Sequence, residues 1–116
     1  MDIQRLHVGE TLSEVAIHNG TVYLAGQIAE DLTQDIAAQT REVLGHVDRL
    51  LAEAGSDKSR ILMCQIFLAD GRDFASMNAV WNEWVAKGSS PPRATVEAGL
   101  VNSSRLIEVV VTAAQK

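Results

Sequence analysis

A chain of 116 residues is about the size of one domain and leaves no room for two separate hydrophobic cores. Hydrophobic residues make up 47% of it and charged residues 22%, proportions that are ordinary for a soluble globular protein and that exclude collagen-like and disordered chains. The net charge is -5 and the ten basic residues are scattered along the chain, so we expect no nucleic-acid partner.

The first residues show no targeting or membrane pattern. MDIQRLHVGE has neither a basic stretch followed by an apolar one nor the beginning of a membrane span, which needs about 18 apolar residues. We therefore expect a cytoplasmic protein with no membrane partner. The single cysteine, Cys64, lies in the apolar run ILMCQIFLA, which predicts a buried thiol with a packing role.

The first quarter of the chain is predicted to form strands. Three short, partly alternating segments lie near residues 3–8, 13–18 and 21–26. Between the last two, Asn19 and Gly20 form the dipeptide that favours a tight antiparallel hairpin.

The middle of the chain is predicted to contain two helices and a strand. Apolar residues recur at helical spacing after Asp35, the expected N-cap, and Gly55 is expected to follow the last turn. The dense apolar run from Ile61 to Ala69 predicts a strand that is covered on both faces. Asp73 is then predicted to cap a second helix that ends near Val85.

The last quarter is predicted to form two strands. Pro91 and Pro92 prevent helical continuation, and segments 93–100 and 106–113 are expected to pair with each other around the polar turn VNSSR. The fold class is therefore α+β, with one mixed, mostly antiparallel six-stranded sheet and two helices on one face, in a single domain spanning residues 1–116.

Three charged residues interrupt these last apolar strands. Strand alternation places Arg93, Thr95 and Glu97 on one face, and Glu108 has apolar neighbours two residues away on either side. One interpretation is that Arg93 and Glu108 pair between neighbouring strands and set the register, or that this face is simply exposed. The other is functional: the arginine binds a substrate carboxylate while the glutamate handles a proton or a water. A pair between Arg93 and Glu97 on the same face would weaken the functional interpretation.

The order and content of the segments resemble those of the Rid family, also called the YjgF/YER057c/UK114 or RutC-like family. The resemblance covers nearly the whole chain and lies in VYLAGQIAED, DIAAQTREVLGHVDRLLAEAGSDKSRIL, FLADGRDFASMNAVWNEWV, PPRATVEAGL and LIEVVV. Gly26-Gln27, the DFASMN segment and the Pro-x-Arg-x-x-Val-Glu motif are its most specific parts. The resemblance implies a chorismate-mutase-like fold and a homotrimer, with a central barrel and three clefts between subunits.

The resemblance also implies a chemistry, namely hydrolysis of enamine and imine intermediates such as 2-aminoacrylate to 2-oxo acids and ammonia, without a metal or an organic cofactor. Arg93 matches the arginine that holds the substrate carboxylate, and Glu108 matches the glutamate that positions or activates water. Asn78 matches a cleft asparagine, and Gly26 and Thr95 complete the substrate-binding residues. The small-molecule partner would thus carry a carboxylate.

The chain departs from the pattern of the active deaminases at three positions. Ala25 stands in the place of a serine, the stretch near Leu12 and Ser13 lacks the cleft tyrosine, and Thr95 stands where several members have a cysteine. These departures indicate a divergent subgroup. They keep open a second hypothesis, a non-catalytic module that binds or senses a 2-oxo acid or an amino-acid-like molecule. Ribonuclease action, for which some relatives are named, is disfavoured by the acidic charge balance.

Two further sets of residues carry no predicted chemistry. The three histidines, at positions 7, 18 and 46, lie in separate elements without ligand spacing, so no metal site is predicted. Met77, Trp81 and Trp84 form an apolar helical stripe and are predicted to be packing residues.

Overall fold

A computed structural model describes residues 2–116 of the chain. It contains seven strands, named β1 to β7, and two helices, named α1 and α2. The strands are β1 Gln4–Val8, β2 Ser13–His18, β3 Thr21–Leu24, β4 Gln27–Ile28, β5 Ile61–Leu68, β6 Arg93–Glu97 and β7 Ile107–Ala114. The helices are α1 Ile36–Glu53 and α2 Phe74–Trp84.

Six of the strands form one sheet in the order β1-β2-β3-β7-β5-β6, and the two-residue β4 pairs with β7 beside it. Strands β5 and β6 are parallel, whereas the other pairs are antiparallel. The two helices bury their apolar stripes against one face of this sheet, where Val47, Met77 and Val109 belong to the same hydrophobic core. The predicted α+β fold, with a mixed six-stranded sheet and helices on one face, is confirmed, and β4 adds a short seventh strand.

Local signals place the ends of α1 as predicted. The Asp35 side chain accepts a hydrogen bond from the backbone N–H of Ala38 at 2.9 Å, so it caps the first turn. At the other end Gly55 has a φ of +78°, and the N–H of Ser56 donates to the carbonyl of Leu51 at 2.8 Å. This is the left-handed ending that glycine favours.

The Asn19-Gly20 hairpin is also confirmed. Both residues have positive φ, 52° and 76°, as a two-residue turn with the right-handed strand twist requires. Asp73 precedes α2 as expected, but its side chain makes no capping hydrogen bond there. Asp70 instead caps the preceding 3-10 turn through the N–H of Arg72.

The predicted pairing of segments 93–100 and 106–113 is wrong. Strand β5 lies between β6 and β7 and pairs with both of them. The chain from β5 through α2 to β6 forms a parallel crossover, which needs a dozen or more residues and a helix. Strand β6 also ends at Glu97, three residues earlier than expected, and the sheet has β6 at its edge.

Candidate functional site

Arg93 lies at the start of the edge strand β6, on the sheet face that carries the helices. It donates a hydrogen bond from Nη1 to Oδ1 of Asn78 on α2 at 2.8 Å. Its guanidinium carbon lies 5.0 Å from the ring centre of Trp81 and 5.7 Å from that of Phe74. The crossover from β5 to β6 is what brings α2 over this strand. Arg93 and Asn78, which were each assigned to the cleft, are therefore in direct contact, and two aromatic rings orient the cation.

The ion pair between Arg93 and Glu97, which would have weakened the functional interpretation, does not form. Glu97 instead accepts a hydrogen bond at 2.6 Å from the backbone N–H of Gly71. Within residues 2–116, Arg93 has no carboxylate within salt-bridge distance. Thr95, two residues along on the same face, has a buried hydroxyl oxygen with no hydrogen-bond partner among these residues. A buried unpaired hydroxyl is costly, so it is available to a bound molecule.

Glu108 lies on β7, half-buried, next to the Gly26-Gln27 pair. Strand β4 pairs with β7 so that Ile28 is opposite Glu108 and Gln27 is opposite Val109. A β-carbon at Gly26 would lie 2.9 Å from Cδ of Glu108 and closer still to its Oε2. Only glycine allows this close approach. Gly26 and Glu108 are thus brought together.

Glu108 borders a cavity of about 560 Å³, here called the polar cavity. Ala25 and Leu12, which lie at two of the three positions where the chain departs from the pattern of the resemblance, also line it. The buried Gln27 crosses its base and donates from Nε2 to Oε2 of Glu14 at 2.7 Å and to the carbonyl of Ala25 at 3.0 Å. This half of the site therefore presents carboxylates and an amide, with a methyl group at position 25.

Helix α1 provides the opposite side of the polar cavity through His46 and Arg49. Nε2 of His46 lies 3.0 Å from Oε2 of Glu42. The pKa of Glu42 is lowered, chiefly by the hydrogen bond from the backbone N–H of Glu30 and also by those from His46 and other donors. Glu42 thereby holds the loop before α1 and the His46 ring in place.

A second cavity, of about 280 Å³, lies on the other side of Glu108 and is here called the apolar cavity. Apart from Glu108, the residues that line it are Phe67, Ala98, Gly99, Leu100 and Val101. Phe67 lies directly opposite Glu108 in the pairing of β5 with β7. The carboxylate is therefore situated between a polar and an apolar space.

Arg93 and Glu108 do not meet within one chain. Arg93 is in register with Cys64 and Val111, which are buried on the helix side, whereas Glu108 is in register with Phe67 and Val96. Because side chains alternate along a strand, the two charged residues point to opposite faces. The interpretation of Arg93 and Glu108 as a register-setting pair in neighbouring strands is wrong, since β5 separates their strands.

The surroundings of Cys64 agree with a packing role. Its side chain is buried on the helix side of β5, and burial raises the pKa of the thiol to about 12, an effect that the charge of Arg93 only partly offsets. Over residues 2–116, no group of three or more histidine, cysteine, aspartate or glutamate side chains is placed to hold a metal ion. No helix in that range is long and apolar enough to cross a membrane.

The sequence interpretation missed the aromatic contacts of Arg93. Trp81 was assigned to packing, and it is indeed buried, but the same ring also lies over the guanidinium. Phe74, Asn78 and Trp81 follow the i, i+4, i+7 spacing of one helix face. Because a strand that begins with Arg93 follows this helix, that spacing could have predicted that the three residues contact the arginine.

The comparisons with known proteins agree on one family. A family model described as Endoribonuclease L-PSP matches residues 3–115. A RutC family protein of Haemophilus influenzae is 51% identical over 114 residues, which cover 97% of this chain and 98% of that protein. A solved structure of a YjgF family member from Neisseria meningitidis is 41% identical with a TM-score of 0.97, over 100% of this chain and 97% of that one. A Rid family structure from Yersinia pestis is 32% identical with a TM-score of 0.84, over 92% and 90% of the two chains.

These likenesses span the chain from end to end and extend to its three-dimensional arrangement, so the fold predicted from the resemblance is confirmed. The chain belongs to the Rid family, also called the YjgF/YER057c/UK114 or RutC family.

Proposed function

We propose that this protein hydrolyses reactive enamine and imine intermediates of the 2-aminoacrylate type to 2-oxo acids and ammonia. The reaction would take place in clefts between the subunits of a homotrimer, without a metal or an organic cofactor. Arg93, Asn78 and Thr95 bind the substrate carboxylate, and Glu108 beside Gly26 positions the attacking water.

The observation that carries the proposal is the state of Arg93. Of its five N–H donors, one is used by Asn78, and no carboxylate of residues 2–116 neutralises its charge. The guanidinium is held against Trp81 and Phe74, which limits its freedom before any ligand arrives. A guanidinium that is held in place and whose charge is not neutralised can donate two parallel hydrogen bonds to a planar carboxylate.

The unpaired hydroxyl of Thr95 supports the same assignment. Strand geometry places its Cα about 7 Å from that of Arg93 on the same face. A substrate carboxylate that binds Arg93 offers an acceptor to this buried hydroxyl.

The arrangement of Arg93 and Glu108 supports a site that is shared between subunits. Arg93 belongs to the helix face at the edge of the sheet, whereas Glu108 belongs to the open face. Two groups on opposite faces of one chain are poorly placed to act on one substrate, which supports a site completed by a neighbouring copy docked at the β6 edge. The open face also exposes large apolar side chains, including Tyr23 at 51% and Val96 at 48%, which association would cover.

The chemistry needs little beyond orientation. A proton added to the methylene carbon of 2-aminoacrylate gives the iminium form of 2-iminopropionate, whose central carbon is electrophilic. Water adds to that carbon, a C–O bond forms, and the C–N bond breaks. Both water protons finish on the nitrogen, which leaves as ammonium while pyruvate remains. Glu108 acts by holding the water and relaying its protons, and Arg93 fixes the carboxylate throughout.

The experiment that tests this proposal measures release of ammonia or 2-oxo acid from freshly generated amino-acid imines. The native protein should accelerate release over the spontaneous rate, and the Arg93→Ala variant should not. No acceleration by either protein would contradict the proposal.

A binding module is the second candidate, because the polar cavity beside Glu108 is lined by Leu12 and Ala25, neither of which has a hydroxyl group. If this candidate is correct, pyruvate stabilises the protein against heat without any turnover of imines. Ribonuclease action, which the description of the matching family model names, finds no support in a chain with a net charge of -5.

A further inference from the structure

Glu108 borders two cavities that are lined by different kinds of side chain, and the proposed reaction uses only one of them. Charged and amide side chains line the polar cavity, whereas Glu108 is the one charged residue among those that line the apolar cavity. The polar cavity offers space for water and for the leaving nitrogen near Glu14 and Gln27. The apolar cavity, formed by β5 and the loop after β6, has no role in the binding of carboxylate, water or ammonia.

The residues of the apolar cavity are placed to meet a carbon chain rather than a polar group. Phe67 and Glu108 are direct cross-strand partners, so the aromatic ring lies beside the carboxylate on the same face. Leu100 and Val101 approach from the loop, and the Val101 side chain is 95% exposed. When an apolar group of a ligand covers such a side chain, apolar surface is removed from water, and the free energy of binding becomes more favourable.

We propose that the apolar cavity receives the side chain of the substrate, and that the preferred substrates are imines of the larger aliphatic 2-amino acids, of about leucine size. This inference rests on the proposed function. The reacting carbon carries three substituents: a carboxylate, a nitrogen and a side chain. Arg93 takes the first and the polar cavity takes the second, which leaves the third for the apolar cavity.

The volume of the cavity agrees with this substrate class. About 280 Å³ is near the lower limit of small-molecule sites, which is roughly 300 Å³. A methyl group, the side chain of 2-iminopropionate, fills little of that space, whereas a branched four-carbon chain fills more of it and offers more apolar surface to Phe67 and Leu100.

The test compares two imines produced in solution by enzymatic oxidation of leucine and of alanine. The alanine product is 2-iminopropionate, a tautomer of 2-aminoacrylate, so it reports on the proposed function by itself. We expect kcat/KM for the leucine-derived imine to exceed that for 2-iminopropionate by about tenfold or more, since hydrophobic pockets discriminate single methylene groups by this amount.

Two variants test whether the apolar cavity is responsible. A β-carbon at Gly99 meets no atom within 4 Å, so Gly99→Leu can fill the cavity without a clash at that atom. Val101→Ser makes the cavity rim polar at an exposed position. Each change should lower the preference for the leucine-derived imine about tenfold, because the larger substrate loses more than the smaller one.

Gly45→Leu is the matched control. It adds the same side chain at another glycine with open space, on α1 and away from Glu108, and it should keep the native preference. Circular dichroism on all three variants identifies any that do not fold. If Gly99→Leu does not fold, Val101→Ser alone shows whether the apolar cavity determines the preference for the leucine-derived imine.

The outcomes separate the two proposals. Equal kcat/KM values for both imines, or a preference that neither variant changes, overturn the assignment of the apolar cavity while the proposed function stands. Failure of the native protein to accelerate hydrolysis of either imine overturns the proposed function and this inference with it.

Discussion

Arg93 and Glu108 point to opposite faces of the sheet, with strand β5 between their strands. Two strand spacings amount to about 10 Å, and the two residues are also offset along the strands by three positions in the register. The two residues that the sequence motifs assign to one site are therefore apart within a single chain, and under the proposed function each belongs to a different half-site. Arg93 serves one cleft and Glu108 serves another, if copies of the chain assemble around a symmetry axis.

Gly26→Ala should reduce catalysis through Glu108. The added methyl group would lie within van der Waals distance of the Glu108 carboxylate, so the side chain must move away from its present position. We expect kcat/KM for imine hydrolysis to fall at least about tenfold and the free energy of unfolding to fall by about 1–3 kcal/mol, as for other overpacked sites. Enzyme kinetics and urea unfolding measure the two effects.

Gly45→Ala provides the control for the Gly26 prediction. Gly45 is inside α1, and a β-carbon there meets no atom within 4 Å. This substitution should raise the free energy of unfolding by about 0.5–1 kcal/mol and leave the kinetics unchanged. Normal kinetics in both variants would show that the contact between Gly26 and Glu108 has no functional role.

Val96→Glu should dissociate the proposed trimer. Val96 lies in the edge strand β6 on the open face, where its side chain is 48% exposed in one chain. A charge buried there on association is costly unless the neighbouring copy supplies an opposite charge. Native mass spectrometry should find trimers for the native protein and smaller species for the variant. Ala52→Glu, which adds the same charge at an exposed position of α1, should remain trimeric.

Glu42→Gln should lower the free energy of unfolding more at neutral pH than at acidic pH. The Glu42 carboxylate accepts hydrogen bonds from the Glu30 N–H at 2.6 Å and from Gln34 Nε2 at 2.8 Å, and its pKa lies below the ordinary value of 4.5. Its contribution to stability is therefore complete above that value and is lost as the pH falls through the lowered pKa. The native chain should exceed the variant in free energy of unfolding at about pH 7, and the difference should shrink as the pH falls below 4.5 and through the lowered pKa.

The comparison of native and variant protein isolates Glu42 from other acidic groups. Asp70, whose pKa is lowered to about 2 by Arg72, also destabilises the protein on acidification, but it is present in both and cancels. A difference in unfolding free energy that stays constant between neutral and acid pH would contradict the assigned role of Glu42.

Cys64 should react slowly with thiol reagents in the native protein. The thiol is buried, and its pKa of about 12 leaves almost no thiolate at neutral pH. The rate of colour release from a disulfide reagent should be low in buffer and should rise on unfolding in urea. Rapid labelling of the native protein would contradict this placement of the strand.

The elements with local signals were predicted well from the sequence. A cap such as Asp35, a left-handed glycine such as Gly55 and a turn such as Asn19-Gly20 depend on neighbours along the chain. Strand order depends instead on distant contacts, and for this reason the partner of β6 was predicted wrongly. Strand β4 has only two residues and leaves no periodic pattern.

In the candidate site, too, some features could be predicted from the sequence and others depend on tertiary structure. Family motifs identified Arg93, Asn78 and Glu108, but their contacts follow from tertiary structure. Asn78 meets Arg93 because α2 crosses over β6, and Gly26 meets Glu108 because β4 pairs with β7. The opposite orientation of Arg93 and Glu108 could not be predicted while their strands were taken as neighbours.

The most direct test of the account is complementation between two inactive variants. Arg93→Ala and Glu108→Gln, carrying different affinity tags, are refolded together, and assemblies that contain both are purified on both tags. If each cleft takes its arginine from one subunit and its glutamate from another, each mixed trimer has one intact cleft of three, so imine hydrolysis should return to about a third of the native activity per subunit. Mixed assemblies that remain as inactive as the separate variants would contradict a site built between copies of this chain.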